Sequence, residues 1–342
     1  MSIELEHSGS AQAAGAAVLR MIQGLHVSRA VYVAAKLGIA DLLADGSAAS
    51  DDLARRTGTH PQSLYRILRL LAALDVLRES EPRCFALTPL GERLRTGVPN
   101  SMRQWAIQLD ALGGLRSFDE ILTAVRSGSP ALPHVLGGDA FAYLAQHPDA
   151  LRAFQASMTE RTAALAPTVA AGYDFDALRT VIDVGGGRGT MLAAILAAHP
   201  RLRGLLYELQ GVADNPEPAL GESARCDVVA GDFFASVPSG GDAYILANVL
   251  HDWDDADCIR ILRCCRRAMP PGAKVLVIER MIQDDPAESV PTLLSDLHMM
   301  ILTGGMERTH NEYGRLFAEA ELALTRVIPV QPPYGIFEAS AR

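Results

Sequence analysis

The stretch "NVLHDWDD", residues 248–255, holds the first side chains that could do chemistry: His251, with Asp252, Asp254 and Asp255 around Trp253. Three roles compete for the histidine: a structural residue ending a buried strand, a metal ligand beside the acids, or a general base. Asp254 and Asp255 directly precede the helical pattern "ADCIRILRCC", and Asp257 lies in its first turn. Acids there complement the helix dipole, so they need no hard cation to explain them. The base role draws support from two distant carboxylates. Glu279 closes the strand-like "VLVIERM", and Glu307 lies in "GGMERT", a loop before a helix. If the strands leading to His251 and Glu279 are neighbours, the carboxylates can orient the imidazole and stabilise its protonated form.

A second constellation lies upstream. "VIDVGGGRGT" is a strand running into Gly185, Gly186, Gly187 and Gly189, then a helix. Such glycines permit a tight turn and let the backbone approach a ligand. The G-x-G-x-x-G spacing of dinucleotide enzymes fails from either starting glycine. The next strand ends at Glu208, an acid able to accept both hydroxyls of a ribose. "AGDFF" then places Asp232 where it can accept from an adenine amino group and Phe233 where it can cover the ring. The plain alternatives are a solvated carboxylate for Glu208 and a helix N-cap for Asp232.

The elements that must position these residues alternate from Tyr173 onward. "TVIDVGG", "RGLLYEL", "CDVVAGD", "DAYILANVL" and "KVLVIERM" read as strands, separated by helical patterns such as "TMLAAILAAH". That alternation predicts an α/β, doubly wound and mostly parallel sheet whose strand tips share one crevice. Helices are expected near 289–302 and 310–320. "LALTRVIPV" and "YGIFEASA", joined by "QPP", predict an antiparallel hairpin closing the sheet.

The first half differs. Apolar residues at helical spacing (Val18, Met21, Ile22, Leu25) lead into a pattern of short helix, turn, helix and two strands. Ser50 is expected to cap the short helix, Gly58 to end it, and His60-Pro61 to open the second. This is a winged helix, which raises the possibility of a DNA-binding regulator. Its candidate recognition helix, Pro61–Leu74, has only Arg66 and Arg69 as cations, and a reading helix ordinarily brings more. A dimerisation or substrate-covering role fits better. The chain's 31 basic and 40 acidic residues, net −9, also oppose a nucleic-acid partner. No apolar stretch approaches a bilayer span, and "MSIELEHSGS" lacks the basic start and apolar core of a signal peptide. Cysteines 84, 226, 258, 264 and 265 form no C-x-x-C. The expectation is a cytoplasmic protein with packed thiols.

"DVGGGRG", "YEL", "GDFF", "LHDWDD", "VLVIER" and "GGMERT" occur in the order found in S-adenosylmethionine-dependent small-molecule O-methyltransferases. The chain resembles the group of plant caffeic acid O-methyltransferase and bacterial antibiotic-pathway O-methyltransferases. The resemblance spans most of the chain, and the "LHDWDD" and "GGMERT" blocks are its most specific part. It implies a class I methyltransferase domain over 173–342. Residues 1–105 become a winged-helix dimerisation domain, and 106–172 a helical linker contributing to the acceptor pocket. It also implies S-adenosyl-L-methionine as donor, S-adenosyl-L-homocysteine as product, a homodimer formed through the N-terminal helices, no metal, and neither nucleic acid nor membrane as partner. His251, Glu279 and Glu307 take catalytic roles. Gly185, Gly187, Glu208, Asp232, Phe233, Asn248 and Trp253 take the cofactor, with Trp253 beside the adenine. Phe154, Met158, Asp252, His298, Met299 and Thr303 face the acceptor. An apolar, Met-lined slot suits a flat aromatic hydroxyl compound, phenolic, quinonoid or polyketide-like. N-methylation, or a drifted use of the cofactor, is the alternative within the fold. Departures include Ala247, where relatives commonly carry a cofactor-contacting Lys. Asn248 is the nearest polar replacement, although strand alternation should turn it away. Pro216 and Pro218 also interrupt what is usually a regular helix.

Overall fold

The computed structural model describes the backbone of every residue except 1, 112, 139, 215, 217–219 and 221–222. Side chains are described except for these and 2–11, 109–111, 141 and 145. The chain forms two compact units, Met1–Gln108 and Leu109–Arg342.

In the first unit, the helix Ser50–Thr57 ends at left-handed Gly58 (φ 65°), a conformation glycine adopts without penalty. The helix Pro61–Ala73 follows, its N-cap His60 accepting from the Ser63 amide. Strands β1 (Ala48–Ala49), β2 (Leu77–Glu81) and β3 (Cys84–Leu87) form a small sheet in the order β1-β3-β2. Helices and wing close over Leu53, Leu64, Leu68, Leu71 and Phe85, all buried. Ser50 departs from expectation. Ala49 holds the N-cap position, while Ser50 is buried in the first turn with its amide on the Arg83 carbonyl. The turn between β2 and β3 takes the Ser50 amide, and the Ser50 hydroxyl is directed to Asp51 Oδ1 at 3.4 Å and not to a helix amide.

The second unit is built on β4 (Thr180–Val184), β5 (Arg203–Glu208), β6 (Cys226–Ala230), β7 (Ala243–Ala247), β8 (Lys274–Ile282), β9 (Arg308–Thr309), β10 (Leu322–Pro329) and β11 (Tyr334–Ala341). The order is β10-β11-β8-β7-β4-β5-β6, with β9 paired to β8. Strands β4 to β8 run parallel, and β11 and β10 add antiparallel at one side. Both faces of the sheet are apolar, as a parallel sheet under two helix layers requires. Tyr244, Leu246, Val275 and Val277 enter one core with Ile261, Leu262 and Phe317. Their neighbours Ala243, Ile245, Leu276 and Ile278 enter the other with Met191, Leu192, Leu165 and Val169. The period of two assigns alternate residues to opposite layers. Cys258, Cys264 and Cys265 are buried, and all five cysteines are free.

Strand order reverses at β4, which has β5 on one side and β7 on the other. The glycine loop after β4 and the His251 segment after β7 therefore border the same crevice, where open sheets bind ligands.

Candidate active site

The His251 segment does not prolong its strand. Strand β7 ends at Ala247, and Asn248 turns the chain with φ 53°, a left-handed conformation that asparagine tolerates better than most residues. Leu250–Asp252 then form a 3-10 turn. Asn248-Val249-Leu250 thus leave the sheet instead of ending the strand, because Glu279 offers the backbone a better partner. Its Oε1 accepts from the amides of Val249 (2.9 Å), Leu250 (2.9 Å) and His251 (3.4 Å). Register puts Glu279 one residue beyond the last β7–β8 pair, Ala247 with Ile278.

Glu307 acts on the ring. Its Oε1 lies 3.1 Å from His251 Nδ1 and also accepts from Ser295 Oγ at 2.7 Å. Glu279 Oε2 is 3.7 Å from the same nitrogen. With Glu307 accepting, Nδ1 carries the hydrogen, and Nε2 is left with Asp252 Oδ1 at 3.8 Å. Burial of His251 disfavours the imidazolium. The charges of Glu279, Asp252 and Glu307 outweigh it and push the ring up to about 9. Burial and the neighbouring Glu307 charge raise Glu279, against the pull of His251. Burial alone would raise Glu307 too, but its bond and attraction to His251, with Ser295 and Arg280, hold it below the ordinary range.

Residues 305–308 clamp this turn from outside. A Cβ on Gly305 would stand 2.1 Å from the His251 carbonyl oxygen and 2.7 Å from the Trp253 nitrogen, so only glycine lets the two backbones meet. Arg308, fully buried, donates to the carbonyls of Leu250, Met306 and Trp253 and to Asp255 Oδ1. Sequence reasoning missed Gly305, Arg308 and Ser295. Their one visible signal was membership of the "GGMERT" block for the first two. The remaining acids serve the helix Asp255–Ala268, with Asp254 capping it through the Asp257 amide.

On the cofactor side, Gly185, Gly187 and Gly189 all have positive φ. A Cβ on Gly185 would press on Phe233 and Val249, whereas Gly187 faces open space. Glu208 Oε2 accepts from the Gly187 amide at 2.9 Å. Beneath the loop lies Asp183, fully buried and unforeseen. Neither of its oxygens has a well-formed hydrogen bond among the described residues. Burial first, then the Glu208 charge, raises it to about 7 against the Leu192 amide. A Cβ on Gly186 would lie 2.3 Å from Asp183 Oδ2. Asp183, without a well-formed hydrogen bond among the described residues, and Glu208, whose oxygens accept from the Gly187 and Leu209 amides, set two carboxyl groups under a glycine cradle, which fits a cationic nucleoside such as S-adenosylmethionine. Asp232 Oδ1 accepts from the Phe234 amide, shaping the turn. Phe233 and Phe234 meet Trp253 edge-on at 6.2 and 4.7 Å between centroids. Pro216 lies in irregular chain after the four-residue helix Gln210–Ala213, and Pro218 lies outside the described residues.

On the acceptor side, Phe154 and Met158 are half-buried on the helix Pro148–Gly172. Arg161, one turn further, donates to Asn248 Oδ1 at 3.1 Å, which also accepts from the Tyr334 hydroxyl. The Asn248 oxygen is therefore tied to two protein donors. His298 and Met299 lie on the helix Pro286–Leu302. His298 packs on Phe118, and burial, with Arg161, His251 and Arg280, pushes it down to about 4. Thr303 closes that helix, its hydroxyl donating to the Met299 carbonyl and accepting from the Gly305 amide.

Residues 118–322 match the family model of an O-methyltransferase domain, and residues 19–97 that of an O-methyltransferase dimerisation domain. The chain is 43% identical over 325 residues to phenazine O-methyltransferase PhzM of Lysobacter antibioticus, covering 94% of this chain and 95% of that protein. Its fold is similar to that of mitomycin 7-O-methyltransferase MmcR, with TM-score 0.90 at 36% identity over 98% and 100% of the two chains. The O-methyltransferase NcsB1 from neocarzinostatin biosynthesis is 36% identical, with TM-score 0.80 over 92% and 96%. It was solved with S-adenosylmethionine and 2-hydroxy-5-methyl naphthoic acid.

Proposed function

The chain belongs to the S-adenosylmethionine-dependent O-methyltransferases of antibiotic and other secondary-metabolite pathways, and from that premise we propose that it methylates an aromatic hydroxyl with His251 as general base. The observation that carries the proposal is the asymmetry of the imidazole environment. Glu307 engages Nδ1, and Nε2 is the nitrogen left for an acceptor.

The donor supplies a methyl group on a positively charged sulfur, which a phenolate attacks far better than a phenol. The residues' part is to take the hydroxyl proton on Nε2 and to align oxygen with methyl. A phenol titrates near ~10, and His251 is pushed up to about 9. Proton transfer between groups this close in pKa costs little, on the order of 1 kcal/mol. His251 is buried, so water competes little for the proton. Gly185, Gly187, Glu208, Asp232, Phe233 and Trp253 are assigned to the donor, with Asp183 meeting its positive charge. Asn248 enters that set only through its backbone turn. Phe154, Met158, Asp252, His298 and Met299 are assigned to the acceptor, as is the non-hydroxyl part of Thr303. The dimerisation domain and exposed Met21 and Ile22 support a homodimer through the N-terminal helices. Among the described residues no helix is long and apolar enough to cross a membrane.

The test is labelled-methyl transfer across hydroxylated aromatic acceptors. The His251→Ala variant should keep S-adenosylhomocysteine binding and lose roughly two or more orders of magnitude in turnover. Full activity in that variant would remove the base role. Chelation should leave the rate unchanged, and a loss restored by Mg2+ would contradict the metal-free proposal.

A further inference from the structure

We propose that the His251–Glu279–Glu307 cluster is also an inhibitory site for a zinc-class divalent cation, which replaces the proton on Nδ1. Each residue offers one ligand atom, and these atoms lie within 4.8 Å of one another. Nδ1 stands 3.1 Å from Glu307 Oε1 and 3.7 Å from Glu279 Oε2. Ligands about 2.0–2.2 Å from a tetrahedral zinc are about 3.3–3.6 Å apart, so small side-chain shifts would bring all three donors onto the ion and leave its fourth position to a water.

A second observation points to a guest. Glu279 Oε2 and Glu307 Oε2 are both buried with no hydrogen-bond partner among the described residues. The residues themselves are 0% and 3% exposed, and an unsatisfied buried carboxylate oxygen is costly. Two carboxylates and a neutral imidazole carry two negative charges for a doubly charged ion. One nitrogen and two oxygens suit zinc or cobalt, whereas Mg2+ keeps octahedral oxygen ligands and several waters.

Inhibition follows from the tautomer, and this step rests on the base role proposed above. Metal binding displaces the Nδ1 proton, which returns through solvent to Nε2 of the neutral ring, so proton count and oxidation state are both unchanged. A neutral imidazole bound through Nδ1 carries its one hydrogen on Nε2. That nitrogen then cannot accept a proton from the acceptor hydroxyl, so the ion removes the base without blocking the donor pocket.

Co2+ serves as the visible probe, titrated into the whole metal-free protein and then displaced by Zn2+. The expected result is ligand-field absorption from cobalt held by nitrogen and oxygen, abolished in both Glu279→Gln and Glu307→Gln. These isosteric changes keep the side-chain shape, and S-adenosylhomocysteine binding reports that each variant is folded. Zn2+ should lower wild-type turnover at least tenfold at saturation, reversibly by chelator, with S-adenosylhomocysteine affinity unchanged. Absence of the bands, their survival in both variants, or a thiolate charge-transfer signature would overturn the site. Bands lost in the variants with no effect of Zn2+ on turnover would overturn the inhibitory role. The cobalt spectrum is read without methyl transfer, so failure of the proposed activity is distinguishable from failure of the metal site.

Discussion

At the scale of single residues, the two glutamates divide the work of holding His251. Glu279 spends one oxygen on three backbone amides and fixes where the turn lies. Glu307 bonds the ring and fixes its tautomer. Glu307→Gln should therefore lower the pKa of His251 by removing charge that favours the imidazolium. The rising limb of kcat against pH should move to lower pH, while the ceiling falls by roughly 10–100-fold; an unmoved limb would mean that Glu307 does not govern the base. Stability has the same linkage. His251 is raised from 6.5 to about 9, so its stabilising contribution is complete below about 6.5 and fades as pH rises through about 9. Urea unfolding across that window should show a decline that is smaller in His251→Ala. His251, Glu279, Glu307 and Glu208 were legible because reactive residue types at strand ends are conspicuous. Asp183, inside "VIDVGG", reads as an ordinary strand residue. Its isolation is created by glycines and by Glu208 from the next strand.

At the scale of elements, two short segments far apart in sequence act as one structure. The 305–308 segment lies against the 250–255 turn, and both emerge from the β7–β8 side of the sheet. Gly305→Ala must push backbone against backbone. The expected cost is about 1–3 kcal/mol, seen as a lower Tm in calorimetry. A fall in kcat should accompany it as His251 shifts. An unchanged Tm and kcat would show that the contact is slack. This pairing was hidden in the sequence, since a lone arginine such as Arg308 ordinarily reads as solvated surface. The strands themselves were legible, because β-branched runs alternating with helices leave few architectures. The exit of the chain at Asn248 was not, because it depends on Glu279 reaching across from β8 to cap a turn.

At the scale of the whole molecule, the chain joins a catalytic unit to one whose family model is named for dimerisation. Val18, Leu19, Met21, Ile22 and Leu25 are all exposed in the single chain, Met21 by 78%. Apolar clusters of this kind mark association surfaces. Replacing Met21 and Ile22 together by Glu should convert a dimer to a monomer in sedimentation equilibrium. A dimer that persists would place the interface elsewhere. The winged-helix shape was legible from turn residues and apolar spacing, but shape alone left its task open between DNA and self-association.

The edge-on cluster of Trp253 with Phe233 and Phe234 also gives the molecule an optical reporter. The chain has two tryptophans, Trp105 and Trp253, one in each unit. A Trp105→Phe protein would emit from Trp253 alone, two residues from the base and edge-on to Phe233, which packs on Gly185. Occupation of the donor pocket could then be followed by fluorescence in real time, with no label and no turnover.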